Sequence, residues 1–212
     1  MNPNFIAVEG PIGAGKTSLA KALSNHFHFY LLKEIVEENP YLGKFYENID
    51  EWAFQTEMFF LTHRFKQLED IQNHFLQWNK PVVSDFHMFK NLIFAQLTLR
   101  SDYYEKYAKI YSILTEGLPE PNMVIYIHAN VDTLLKRIAL RGRNFEKSIS
   151  PDYLKQLSEK YEIFIEQFER DHPNVPILRI DGNATDFVNN IEDLHSIIND
   201  VTFILAKGAN NR

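Results

Sequence analysis

The sequence predicts an α/β chain, a three-layer fold in which helices flank a five-stranded parallel sheet. Two observations carry that reading. Short runs rich in Val, Ile and Phe alternate with longer helical patterns, and their continuous apolar character suits strands covered on both faces. A glycine-rich stretch then joins the first run to the first helix. The expected strands are FIAVEG at 5–10, a weaker FHFYLLKE at 27–34, KPVVSD at 80–85, MVIYIHA at 123–129 and VPILRID at 175–181. Between them, apolar spacing predicts helices over 16–26, 51–78, 86–117, 131–141 and 150–170, with a last one near 185–206. The polar tail AKGANNR is expected to fray. No repeat, low-complexity tract or Gly/Ser linker interrupts the 212 residues, so they read as a single domain.

Composition narrows the class. With 45% hydrophobic and 24% charged residues the chain is of ordinary globular make-up. A formal net charge of −6 argues against nucleic acid or an anionic membrane as partner. Cysteine is absent, which excludes disulfides and thiolate metal sites and fits a reducing cytosol. MNPNFIAVEG shows no signal-peptide pattern, and no apolar run nears the ~20 residues of a membrane span. A cytoplasmic protein is expected. The eight histidines show no metal-ligand spacing such as HExxH; only His87, two residues after Asp85, stands near a candidate site.

In open parallel sheets ligands sit beyond the carboxyl ends of the strands, so the residues there come first. After the first strand stands Gly10-Pro11-Ile12-Gly13-Ala14-Gly15-Lys16-Thr17, followed by Ser18. This matches GxxxxGK[ST], and a strand precedes it and a helix follows it, as the mechanism requires. Backbone N–H groups freed by glycine wrap phosphates at the helix N-terminus. Lys16 would neutralise the β/γ oxygens of ATP, and the Thr17 hydroxyl would hold Mg²⁺. The guanine-reading NKxD pattern of GTPases is missing, since Asn79-Lys80-Pro81-Val82 ends in valine, and the chain is short for a motor ATPase. A small nucleotide or nucleoside kinase leads.

Glu34, after the second run, is either a base for an attacking hydroxyl or a surface acid beside Glu37 and Glu38. Asp85 ends VVSD and can hold Mg²⁺ opposite Thr17 while also capping the next helix. In KRIALRGRNFEK, Arg137, Arg141 and Arg143 bring three guanidiniums within seven residues. That is either a mobile lid, about 141–150, closing on anionic ATP, or a solvated basic helix end.

With these residues in view, the chain resembles the deoxynucleoside kinases, specifically the deoxyguanosine kinases of Bacillus-type bacteria. The similarity covers nearly the whole chain and rests on EGPIGAGKT, EIVEENPYLGKFY, WAFQTEMFFLTHRFKQLED, SDFHMFKNLIFA and RGRNFEK. It implies a three-layer P-loop kinase fold, an arginine-bearing lid and a homodimer. Carried over by position, it implies that Glu34 is the general base and that Asp85 helps position Mg²⁺. It further implies that Tyr46 and Glu146 hold the sugar 3′-hydroxyl, that Arg137, Arg141 and Arg143 are lid arginines, and that Arg64 stands near the base pocket.

Two departures from the family pattern matter. Where the family has an acid followed by Arg-Ser, Asp85 is followed by Phe86 and His87, so Arg64, Lys90 or a lid arginine must supply the missing charge near Glu34. Glu57 stands where a glutamine usually reads the base. An ionised carboxylate offers only acceptors, which suits the adjacent N1–H and 2-amino donors of guanine. Such bidentate pairs discriminate by roughly 1–3 kcal/mol. Arg64 or Lys90 could donate to guanine O6 and N7. Phe54, Phe59, Phe86 and Phe89 are candidates to sandwich the purine. The expected activity is ATP-dependent phosphorylation of deoxyguanosine to dGMP. The rivals are a deoxyadenosine or deoxycytidine kinase with Glu57 turned away or protonated, a thymidylate kinase, and a non-catalytic ATP-binding regulator.

Overall fold

The computed structural model describes residues 4–210. Strands β1 (Phe5–Glu9), β2 (Tyr30–Leu32), β3 (Val82–Ser84), β4 (Met123–His128) and β5 (Ile177–Asp181) form one parallel sheet in the order β2-β3-β1-β4-β5. All five residues of the central β1 are buried. Phe5 lies opposite Val82, and these two pack into one core cluster with Leu61 and Leu68. The next pair, Ile6 and Val83, enters a second cluster with Leu19 and Leu157. Alternate side chains thus face two different apolar layers, which is why these runs read as uninterrupted hydrophobics. The connection leaving β1 runs to the β2 edge and the one leaving β3 runs to the opposite side, so a crevice opens beyond the carboxyl ends of β1 and β3.

The helices are α1 (Lys16–Phe27), α2 (Leu42–Glu47), α3 (Ile49–His74), α4 (Lys90–Thr98), α5 (Ser101–Thr115), α6 (Val131–Arg141), α7 (Pro151–Asp171) and α8 (Ile191–Asn210). Local chemistry sets several ends. The Asn48 side chain accepts from the Glu51 N–H and donates to its carboxylate, a reciprocal cap that starts α3. Asn130 caps α6 through the Thr133 N–H, and Gly142 closes it in the left-handed region. Ser150 accepts from the Tyr153 N–H ahead of α7, with proline in the first turn.

Four expectations need correction. The helix expected over 86–117 is two helices, split where Leu99 and Arg100 adopt extended backbone. It begins at Lys90 because Ser84 Oγ accepts the Phe86 N–H and the Glu9 carboxylate takes the His87 N–H, holding 85–89 outside a helix. The short α2 was not expected, since a six-residue helix containing glycine carries too little periodicity to read. The last helix starts at Ile191 because the Asp186 carboxylate accepts the Val188 and Asn189 N–H groups in a turn. The tail expected to fray is helical through Asn210, and residues 211–212 lie outside the described residues. No helix among the described residues is long and apolar enough to cross a membrane.

Candidate active site

The crevice opens into a cavity of about 910 Å³. The phosphate loop forms one end. Gly10 and Gly13 take φ of 151° and 86°, and a Cβ at either would sit 2.3 Å from Ile127 O or 2.7 Å from Leu134 O. Only glycine lets the loop lie this close to β4 and α6. Lys16 Nζ donates to the Gly10 and Pro11 carbonyls at 2.8 and 3.0 Å. Burial, with the charge of Lys90 next, lowers the Lys16 ammonium to about 7. Phosphate oxygens beside it would favour the charged form again.

Thr17, the next residue of α1, donates to Asp85 Oδ2 at 2.5 Å, while Asp85 Oδ1 accepts the Glu34 N–H at 2.7 Å. Burial and the nearby Glu34 charge raise the Asp85 carboxyl above its ordinary value. A cation would relieve that strain on the charge. A hydroxyl and a carboxylate side by side are the hard oxygen donors that Mg²⁺ takes, with phosphate and water completing its shell. Among the described residues no cluster of three acids or histidines could hold a metal alone.

Glu34 sits at the centre of an ion cluster. Its Oε1 accepts from Arg64 Nη2 and, at 2.9 Å, from Arg64 Nε; its Oε2 accepts from Lys90 Nζ at 2.7 Å. Burial alone would raise this carboxyl, but Lys90 and then Arg64 outweigh it and hold it down at about 2. The surface alternative for Glu34 is therefore excluded by geometry. These two cations put positive charge beside Glu34 in a chain that has Phe86 and His87 in place of the family's Arg-Ser.

Two turns before Arg64 on α3 lies Glu57, only 1% exposed. Its Oε1 accepts from the Thr98 hydroxyl at 3.2 Å, and its Oε2 has no partner. Burial pushes the carboxyl up to about 7, with Arg64 the main opposing charge. An exposed position on the helix is likewise excluded. Tyr46 joins this wall from α2, and burial with the nearby Glu146 charge raises its hydroxyl.

The segment 142–150 lines the cavity through Arg143, Phe145 and Glu146, with a 3₁₀ turn at Asn144–Ser148. Arg141 donates to Glu146 through Nε at 3.0 Å and Nη2 at 2.5 Å, while Arg143 Nε reaches Glu37 at 3.1 Å. Arg137 belongs to the body of α6. Its guanidinium donates to Ala14 O at 3.0 Å and Gly182 O at 2.7 Å, tying the phosphate loop to the end of β5.

Ile12, Gly13, Gly15, Ser18 and the charged residues just described, Glu37 excepted, line the cavity. Phe86 does not. It is wholly buried with Phe5, Leu61 and Leu68, because Ser84 bonds its backbone and folds the ring into the core. Phe54 packs on Tyr103, Phe59 on His63 and Phe89 on Phe164, so the expected aromatic sandwich does not form from them. Phe45, Phe60 and Phe94 line the cavity instead. His87 lies buried between Phe5 and Phe89.

Three features escaped the sequence reading. The loop 182–189 lines the cavity past β5, and the strand-end rule applied to GNATDFVNN would have found it. Thr98, which holds Glu57, carries no sequence signal. Glu9 ends β1 fully buried, accepting from Tyr161 OH at 3.1 Å and the His87 N–H at 2.6 Å. Burial raises its carboxyl, against Lys90 and Lys16. A charged residue closing an apolar strand was the available signal.

A parallel sheet with a phosphate loop, an arginine-bearing segment and a carboxylate flanked by cations defines a phosphotransferase of the P-loop kinase fold. The family model for deoxynucleoside kinase matches residues 6–206, and the chain belongs to that family. It is 55% identical over 193 residues to the deoxyguanosine kinase of Bacillus subtilis (strain 168), covering 91% of this chain and 93% of that one. It is 28% identical over 207 residues to the deoxyadenosine/deoxycytidine kinase of the same organism, covering 95% and 93%. The structure of deoxyadenosine kinase from M. mycoides with bound dCTP superposes with a TM-score of 0.79 at 26% identity, covering 93% of this chain and 98% of that one. The activity is that of an ATP-dependent deoxynucleoside kinase of salvage metabolism.

Proposed function

We propose that the acceptor is deoxyguanosine and the product dGMP. The observation that carries this reading is Glu57, a buried carboxylate on the cavity wall with one oxygen unpartnered. An unpaired buried carboxylate is costly, and guanine offers it the N1–H and 2-amino donors side by side. Adenine would set its N1 lone pair against the same oxygen. The 55% identity to a deoxyguanosine kinase points the same way.

In this reading Tyr46 and Glu146 hold the sugar 3′-hydroxyl and the 5′-hydroxyl meets Glu34. That hydroxyl oxygen bonds to the γ-phosphorus as the bond to the bridging oxygen breaks, ADP leaves, and the hydroxyl proton passes to Glu34. A carboxylate held near 2 is a weak base, so Glu34 chiefly orients the hydroxyl and takes its proton late, as a loose phosphoryl-transfer transition state allows. Lys16 and, once freed from their carboxylates, Arg141 and Arg143 stabilise charge on the transferred group. Arg137 holds the loop in shape. Mg²⁺ bound with ATP would neutralise charge between the β and γ oxygens, held by Thr17 and Asp85. The chain would work in the cytoplasm as a homodimer of one domain each, with no nucleic-acid partner at a net charge of −6.

Initial rates with Mg-ATP and deoxyguanosine, deoxyadenosine, deoxycytidine, thymidine and dTMP test the reading. Deoxyguanosine should lead clearly. A lead for deoxyadenosine would mean that Glu57 is read in its protonated form, and a lead for dTMP would move the chain to nucleotide kinases.

A further inference from the structure

Thr56 stands one residue before Glu57 on α3, 1% exposed, and lines the cavity. Its hydroxyl finds no hydrogen-bond partner among the described residues. A threonine inside a helix ordinarily donates to a carbonyl three or four residues back. Thr62 donates to Met58 O, Thr98 to Phe94 O, Thr115 to Tyr111 O and Thr202 to Ile198 O. The matching acceptor for Thr56 is the Trp52 carbonyl, and its hydroxyl does not take it. A buried hydroxyl left bare costs free energy, as the bare Glu57 Oε2 on the next residue does. Phe60 and Arg64, four and eight residues on, share this face of α3 with Thr56, and both line the cavity.

Guanine has a need that matches. Its 2-amino group carries two N–H bonds, and a carboxylate that grips the N1–H and one of them leaves the other facing a buried wall. Among the described side chains that α2, α3 and α4 bring to the cavity, Leu42, Phe45, Phe60 and Phe94 offer no lone pair, and Arg64 and Lys90 only donate. Tyr46 is given to the sugar in the reading above. Thr56 is the acceptor that remains beside Glu57. On the strength of the guanine reading, we infer that Thr56 determines specificity at position 2 of the base: its hydroxyl accepts the second N–H of the 2-amino group while Glu57 takes the first together with N1–H. Two neighbouring residues then separate guanine from hypoxanthine, which has no N–H at that position.

The test is kcat/KM for deoxyguanosine and for deoxyinosine, with Mg-ATP, in the wild type, Thr56→Val, Thr56→Ala and Thr56→Ser. Deoxyinosine keeps the N1–H and the 6-oxo group and lacks only the 2-amino group. Valine keeps the shape of threonine and loses the hydroxyl. In Thr56→Val the value for deoxyguanosine should fall about tenfold, the cost of leaving one buried N–H without an acceptor, and the value for deoxyinosine should stay where it is. Thr56→Ala should repeat that result, and Thr56→Ser, which keeps the hydroxyl, should keep the wild-type ratio of the two nucleosides. The ratio is read within each protein, so a general loss of activity cancels. Valine and alanine variants that slow both nucleosides alike, or neither, would overturn the inference, since the hydroxyl would then meet the sugar or nothing. The guanine reading would still stand in that case if Glu57→Gln loses the preference for deoxyguanosine over deoxyadenosine. A wild type that favours deoxyadenosine in kcat/KM would remove the guanine reading and the inference with it.

Discussion

Glu57 shows how a single residue can be wrong for stability and right for recognition. Burial pushes its carboxyl up to about 7 with the cavity free of a base, so below that pH guanine binding requires a proton to leave. Below about 7 the protonated form presents a donor and an acceptor, which suits adenine; above it the carboxylate presents acceptors alone. The ratio of kcat/KM for deoxyguanosine over deoxyadenosine should therefore rise from pH 6 to pH 8, and Glu57→Gln should flatten it. A ratio independent of pH in the wild type would contradict this. Lys90 offers a second prediction. Its ammonium is the leading attraction that holds Glu34 down at about 2 against burial. Lys90→Met should raise the Glu34 carboxyl and move the acid limb of the kcat/KM profile to higher pH. An unmoved limb would show that Arg64 alone sets it.

At the scale of elements, the phosphate loop is fixed from outside as much as by its own glycines. Leu134 O of α6 leaves no room for a Cβ at Gly13, and Arg137 of the same helix grips Ala14 O. Gly13→Ala meets a backbone oxygen at a φ of 86°, a strain on the order of 1–3 kcal/mol. It should weaken ATP binding and lower Tm together. Arg137→Met should loosen the loop and raise the KM of ATP more than that of the nucleoside. Elements that announce themselves locally were legible in the sequence: β1, β3 and β4 as apolar runs, the loop as a spaced motif, α6 and α7 by their amphipathic pattern. What was not legible depends on contacts far apart in the chain. The break between α4 and α5 has neither glycine nor proline, and the turn at 85–89 is imposed by Glu9 from 78 residues away. Phe86 is a candidate by sequence to sandwich the purine, but a turn built by Ser84 sends it to the core. Glu34, Glu57 and Arg64 were legible as candidates, while their common cluster with Lys90 required the fold.

For the whole molecule, function and stability meet in the same buried charges. Glu57 titrates near 7 in the folded chain and near 4.5 when unfolded. A group raised in this way contributes its full share of stability below pH 4.5 and loses it as pH rises through 7. By linkage the loss amounts to roughly 3 kcal/mol at alkaline pH. Glu57→Gln should therefore be more stable than the wild type at pH 8 and nearly equal to it at pH 4, read by urea midpoints with unchanged slope. The cost is the one expected of a site kept for binding. Deoxyguanosine should recover it in the wild type and not in the variant, since only the carboxylate gains partners from the base.

The most direct measurement is a competition. Wild type and Glu57→Gln are each given Mg-ATP with equal concentrations of deoxyguanosine and deoxyadenosine at pH 8, and the ratio of dGMP to dAMP is followed at low conversion. A carboxylate reading the guanine edge predicts dGMP in large excess from the wild type. It predicts a ratio smaller by about ten- to a hundredfold from the variant, the range of one bidentate base contact. The same ratio from both proteins would show that Glu57 does not read the base.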